Sequence, residues 1–494
     1  MEKQIEIFED HFESYLLWKK GNIRDIAVIH FDAHLDYRDA DLREDTLQKI
    51  LEDEESGTLA ETSNSEKFFW NGLHPGNYLY PAACRGIFNR LIWVIPPFLC
   101  KKEELLPWSR EELRRWKDIT IKEFAGFHLK NGMAVSQIHN KEFKVGFLED
   151  LIPMEGPYVL DIDVDYFLDE ITDLPWISPF GFVKKVNQIF PAPQAVYISH
   201  SVSGGYTSPW NKYYGDLLKL AFENRIDSEL IEGYKKLVEG DKIQTEDADG
   251  AYKLWREAEK VGFFKPYVWL RIMNRVDGEE KTRYMNLIEQ NRPDLLISDI
   301  DKAMVLYRKK DYKQAFKMFK ELEKKDDKRF ILANMVCAMI HMESKQYERS
   351  LNHWQKIIRS LVFEAMEIGN KTNILLQQGR CMYEADLLEQ AIAVLSQIIK
   401  LEPSRHKAYF YRGKAYRRRG NFKKAARDFR KFLLLQPEKF DSLEVHLLLG
   451  NTYNDMNKKS LAKNEFKKLE QKDATGLYRM RATLGQVFGR SVDS

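Results

Sequence analysis

Asp32, His34 and Asp36 occupy alternate positions in the segment His30-Phe31-Asp32-Ala33-His34-Leu35-Asp36. Two carboxylates and an imidazole, with no thiolate among them, suit manganese, iron or zinc rather than a soft metal. They follow directly on the apolar run 26–29. In a strand, side chains two apart face the same side. The expectation is a strand end that aims three ligands at one point. A second run has the same form, with Asp161-Ile162-Asp163-Val164-Asp165 placed after Tyr158-Val159-Leu160. Three like charges on one strand face repel unless a cation or partner neutralises them. Two such strand ends suggest a shared polynuclear metal site, at the carboxyl edge where open α/β sheets bind their ligands. A polar strand exit facing water is the plain alternative, and the recurrence of the pattern argues against it.

The elements that must position these residues are legible in outline. Short apolar, β-branched runs at residues 26–31, 91–95, 158–162 and 195–199 read as strands, with helical stretches between them. That alternation indicates an α/β domain with a mostly parallel sheet over residues 1–210. Residues 41–66 are acidic and contain Ser-Gly and Ser-Asn-Ser, which reads as a mobile insertion, with a lid over the site as the sharper reading. Residues 211–295 read as a helical extension or bridge. From residue 296 the pattern changes to helix pairs. Gly379 and Gly413, Ala391 and Ala425, and Pro403 and Pro437 each stand 34 positions apart. These spacings resemble tetratricopeptide repeats, whose unit has about 34 residues. The repeat from 404 to 437 is the fullest, and residues 296–490 are expected to form an all-α solenoid of about five units.

The amino-terminal motifs carry a second resemblance. Asp32-Ala33-His34-Leu35-Asp36 resembles the Asp-Ala-His-x-Asp signature of the arginase and ureohydrolase superfamily, and Asp163-Val164-Asp165 its second Asp-x-Asp signature. Glu9-Asp10-His11 resembles the upstream motif that supplies a further histidine. The order matches, and the surrounding sequence is most similar to the divergent, peptide-arginase-like branch. The resemblance covers roughly residues 1–210. It implies two divalent metal ions, manganese by preference. His11, Asp32, Asp36 and Asp163 would hold one, and His34, Asp32, Asp163 and Asp165 the other. Two registers stay open in the second motif, so Asp161 is also a candidate ligand or a hydrogen-bonding neighbour of one. His30 is expected beside the ligands. His74, in Asn71-Gly72-Leu73-His74-Pro75-Gly76, resembles a segment whose histidine moves the leaving-group proton. The family's late-strand glutamate has no counterpart after residues 195–199. Ser201, Tyr206 and Thr207 are the substrate-binding candidates there.

Composition sets the remaining bounds. A chain of 494 residues holds two or three domains, and a net charge of +2 does not indicate a general nucleic-acid binder. Cys84, Cys100, Cys337 and Cys381 show no metal or disulfide spacing, and no signal peptide is evident, which reads as cytoplasmic. The apolar run 91–100 contains two prolines and is too short to span a bilayer. The basic repeat, with Arg412, Arg417, Arg418 and Arg419, reads either as a solvated face or as a surface for an acidic protein partner. The expected function is hydrolysis of the guanidino group of a peptide or protein arginine to ornithine and urea, with the repeats binding substrate or partner. The rivals are a small guanidino or amidino hydrolase, an amide deacetylase, and a non-catalytic repeat scaffold.

Overall fold

The computed structural model describes residues 4–37, 76–116, 119–169, 171–202, 206–324, 327–366, 368–437 and 441–473. Eight strands form one sheet: β1 Gln4–Phe8, β2 Ile26–Phe31, β3 Phe88–Val94, β4 His128–Lys130, β5 Met133–Ile138, β6 Lys141–Gly146, β7 Tyr158–Asp163 and β8 Ala195–Ser199. Their spatial order is β1-β8-β7-β2-β3-β6-β5-β4. The pairings from β1 through β8, β7, β2 and β3 to β6 are all parallel. The strands expected at 26–31, 91–95, 158–162 and 195–199 are β2, β3, β7 and β8. These central strands are buried on both faces, which is why they read as continuous apolar runs. The edge strand β1 has Glu6 between Ile5 and Ile7, and β6 alternates lysine and glutamate with apolar residues. Such short, charge-bearing patterns do not stand out from helix or loop.

The sheet carries aromatic packing on the face of helices Pro179–Ile189 and Lys212–Phe222. Phe31 meets Phe182 edge-on at 5.0 Å, and Phe167 stacks on Tyr214 at 4.6 Å. The same core continues through Leu237, Trp255, Tyr267 and Leu295. Residues 211–295 therefore complete the core of the sheet domain rather than bridge to something else. Two compact units result. The first comprises Met1–Leu106, Leu129–Val135 and His139–Met318, and the second Pro107–His128, Ser136–Ile138 and Phe319–Ser494. The boundaries drawn from sequence at 210 and 296 both fall inside the first unit. The helix Asp299–Arg308, expected to open the solenoid, belongs to that unit as well. Among the described residues no helix is long and apolar enough to cross a membrane.

In the second unit the helices pair as neighbours: Asp327–Glu343 with Tyr347–Ile358, Ile368–Glu384 with Leu388–Leu401, His406–Arg418 with Phe422–Leu435, and Asp441–Asp455 with Lys459–Lys472. Glycine sets the close approach within three of these pairs. A Cβ on Gly413 would stand 2.7 Å from the Phe429 ring, one on Gly450 2.5 Å from the Phe466 ring, and one on Gly379 3.0 Å from Leu395. Gly413→Val forces the fully buried Phe429 out of place. We expect a loss of about 1–3 kcal/mol in the stability of the repeats, the usual cost of overpacking. Urea unfolding followed by far-ultraviolet dichroism reads this, and an unchanged midpoint would mean that the helices part freely there.

Candidate metal centre

Strand period alone does not bring the ligand residues together. β2 ends at Phe31, so Asp32, His34 and Asp36 lie in the irregular segment beyond it, where Asp36 adopts φ +53°. β7 ends at Asp163, and Asp165 sits in the 3-10 turn Val164–Phe167, its amide donating to Asp163 Oδ1 at 3.1 Å. The strands contribute register instead. His30 lies beside Asp161 across β2 and β7, and Asp163 lies beside Ser199 across β7 and β8. His11 occupies the turn after β1, ahead of the helix Glu13–Lys20 rather than on it. Four parallel-strand exits thus supply the site from one edge, with turns doing the final aiming.

His11 is fully buried, and its Nδ1 faces three carboxylates: Asp32 Oδ2 at 3.0 Å, Asp163 Oδ2 at 3.1 Å and Asp36 Oδ2 at 3.5 Å. Neither His11 Nδ1 nor Asp32 Oδ2 has a hydrogen-bond partner. Beside this group, His34 Nδ1 lies 2.7 Å from Asp165 Oδ2 and 3.7 Å from Asp32 Oδ1. The amides of Ala33 and His34 donate to Asp165 Oδ1 and Asp32 Oδ1. Asp32 therefore faces both histidines, one with each oxygen. Buried polar atoms without partners are costly. A histidine nitrogen and carboxylate oxygens converging on one point are the donor set of a hard divalent cation. The residues present fit a metal at His11, Asp32, Asp36 and Asp163, and a second at Asp32, His34 and Asp165.

Asp161 has a different place. It accepts from Ser14 Oγ at 2.6 Å and Tyr78 OH at 2.6 Å, and meets His30 Nδ1 at 3.0 Å. His11 Nε2 lies 3.2 Å from it, in ion-pair range though not aligned as a hydrogen bond. His11, His30 and Asp161 also form a compact group of possible ligands. Hydroxyl donors already occupy both oxygens of that carboxylate, so we read Asp161 as the group that orients the two rings. This is the usual partner of a ligating histidine. Asp163 is held similarly by Ser201 Oγ, itself 2.8 Å from Ser199 Oγ.

The charges are unbalanced without a cation. Burial, then the charges of Asp165 and Asp36, push the Asp32 carboxyl up to about 8. Burial and the charge of Asp165 also raise Asp163. Burial acts to lower His11 and His34, but the surrounding aspartates prevail and raise both well above the usual imidazole value. The same histidine charges hold Asp161 and Asp165 below the ordinary carboxylate range against the effect of burial.

The other site candidates divide. Ser201 is buried and donates its hydroxyl to Asp163. Thr207 is fully buried, with its hydroxyl oxygen unpartnered. Tyr206 stands at the open side, its ring edge-on to the half-exposed His34 at 4.8 Å, with the Arg308 guanidinium 3.9 Å over that ring. His74 and the acidic segment 41–66 lie outside the described residues. One histidine escaped the sequence reading. His139, in the turn between β5 and β6, stacks on Tyr37 at 5.6 Å and meets its hydroxyl at 3.0 Å, immediately after ligand candidate Asp36. A lone histidine in a hairpin carries no local signal.

The four repeat arginines each have a carboxylate partner within the chain, and Arg418 and Arg419 stay partly exposed. Arg412 grips Asp428 with two bonds of 2.7 and 2.8 Å, and Arg417 meets Asp455 at 3.1 Å; both arginines are largely buried. Arg418 pairs with Asp386 at 2.8 Å and Arg419 with Glu389 at 2.7 Å. The first bond pair lies within one helix pair, and the other three arginines tie neighbouring pairs to one another.

No curated protein matches the chain. Among solved structures it is similar to MamA proteins. A crystal structure of MamA protein is 18% identical, covers 36% of this chain and 91% of that one, and has a TM-score of 0.32. MamA from Desulfovibrio magneticus RS-1, residues 41 to the end, is 17% identical, covers 35% and 93%, and has a TM-score of 0.31. Family models of the tetratricopeptide repeat match residues 374–404 and 406–439, and neither reaches the metal cradle. Those residues, the helix pairs built on Gly379 and Gly413, are tetratricopeptide repeats.

Proposed function

We propose that the first unit is a binuclear metal-dependent hydrolase that cleaves the guanidino group of a peptide or protein arginine to ornithine and urea. The repeats, a module that generally binds proteins, recruit substrate or partner. The observation that carries this reading is His11 Nδ1, fully buried, unpartnered, and surrounded by Asp32, Asp36 and Asp163 within 3.5 Å. The resemblance to arginase-like enzymes supplies the choice of substrate. Two divalent ions in such a cradle lower the pKa of water toward neutrality and stabilise developing negative charge.

The chain's own residues do the rest. Asp161 fixes the ring planes of His11 and His30, and Ser201 holds Asp163 so that its charge stays aimed inward. In the net reaction a water oxygen bonds to the guanidino carbon and the bond from that carbon to the side-chain nitrogen breaks. The departing amine takes a proton. Among the described residues, His30, whose Nε2 lies 3.4 Å from Asp32 Oδ2, and the Tyr37–His139 pair next to Asp36 in sequence are the proton carriers beside the ligands. Tyr206, edge-on to His34, lines the side where the half-exposed His34 gives access.

Elemental analysis of protein purified with added manganese tests the reading, with about two ions per chain expected. His11→Ala is expected to lose one of them. Urea and ornithine released from an arginine peptide, at a rate well above that for free arginine, complete the assignment. Acetate release would favour a deacetylase. Metal content near zero would remove the hydrolase reading and leave an interaction scaffold.

A further inference from the structure

Away from the metal cradle, the first unit contains a pocket of about 460 Å³ with Trp210, Gln244 and Asn274 in its walls. Three cations line it, Arg271, Arg275 and Lys309, against two acids, Asp173 and Asp241. Two of the cations are matched. Arg271 is buried and holds both oxygens of Asp241, at 2.7 and 2.6 Å. It also donates to the carbonyl of Trp210 and so braces the pocket wall. Lys309 bonds Asp173 at 2.9 Å and Ser208 at 3.1 Å. Arg275 differs. Its partners are neutral: the Gln244 side-chain oxygen, the Arg271 carbonyl at 3.1 Å and the Trp255 ring at 4.4 Å. A guanidinium has five N–H donors, so Arg275 keeps several for a ligand. Partial burial lowers its pKa, with the adjacent charge of Arg271 adding to that effect and Asp241 opposing it.

The pocket also has a defined relation to the cradle. Arg308 and Lys309 are consecutive; the first caps Tyr206 beside His34, and the second lines the pocket. Tyr206 and Trp210 are four residues apart, a separation that spans at most about 14 Å. An extended peptide covers that length in about four residues, at roughly 3.3 Å each.

We propose that this pocket binds a carboxylate of the peptide whose arginine enters the metal cradle, with Arg275 as the anchoring cation. The identity of the peptide rests on the proposed function; the pocket's preference for a carboxylate does not. The carboxylate is an acidic side chain within about four residues of the arginine, or the peptide's own carboxyl terminus.

Fluorescence anisotropy on the full, manganese-loaded chain tests this with short labelled peptides. Each carries one arginine and a glutamate at successive distances from it, beside a glutamine counterpart, with free or amidated carboxyl termini. In at least one register glutamate is expected to bind about tenfold more tightly than glutamine. That ratio should collapse toward one in Arg275→Ala and recover in part in Arg275→Lys. A preference that follows the free terminus instead of the glutamate identifies the second source. Absence of any Arg275-dependent preference, or of any binding, overturns the pocket. Charge-dependent binding without urea release leaves the pocket standing and removes the arginine-hydrolase reading.

Discussion

Asp163→Asn is expected to reduce bound manganese from about two ions to one or none and to slow peptide-arginine hydrolysis by at least about 10³-fold. Asp163 Oδ2 is 3.1 Å from His11 Nδ1, so its charge is part of the innermost donor group. Asparagine keeps the size but offers a neutral oxygen, and the lost charge stabilisation is worth several kcal/mol in the rate, at about 1.4 kcal/mol per tenfold. The variant should still fold, because burial already drives that carboxyl toward its neutral form without metal. Metal analysis and single-turnover urea release, run together, make the result readable. Full metal content with a normal rate would exclude Asp163 from the centre.

The second large effect is an inversion of stability at Asp32. In the metal-free chain its carboxyl is raised from 3.8 to about 8. Between those values the folded chain keeps a proton that the unfolded chain has released. Metal-free stability therefore falls as pH rises from about 4 to 8. An asparagine side chain does not titrate and removes that loss, so Asp32→Asn should be more stable than the parent at pH 8 when both are stripped by chelator. With manganese the order should reverse. A ligand present at about a hundred times its dissociation constant adds about 2.7 kcal/mol to the parent, and the variant gains little. Melting curves at pH 5 and pH 8, with manganese and with chelator, test the inversion. A variant that is less stable than the parent under every condition would mean that Asp32 is a structural acid and not a metal ligand.

How much of this was legible depends on where each signal lies in the sequence. β2, β3, β7 and β8 are readable because burial on both faces over most of their length writes mainly apolar runs. The residues of the cradle are readable as types and spacing, but strand period does not give their geometry. The chain leaves β2 after Phe31 and turns, and Asp36 at φ +53° points its carboxylate inward from the left-handed region. No strand rule contains that. Asp161 could not be sorted from Asp163 by sequence, because the distinction depends on Ser14 and Tyr78, far away in the chain. His139 was invisible for the same reason. The boundary near residue 296 follows the change of pattern to helix pairs, while the helix Asp299–Arg308 groups with the sheet unit.

The glycine contacts in the repeats have a consequence for how that part of the chain comes apart. Gly379 and Gly413 are 34 positions apart, but Gly450 follows 37 positions further on. The same contact recurs in all three pairs, against Leu395, Phe429 and Phe466. Periodicity here belongs to the contact and not to the residue count, so length can vary between pairs without disturbing the stacking. Each pair then behaves as one link in a linear lattice, coupled to its neighbours alone. The arginine bonds from Arg417 to Asp455 and from Arg418 to Asp386 are couplings of this kind. Such an array can open one link at a time, and a defect in one link weakens the coupling between its neighbours as well as the link itself.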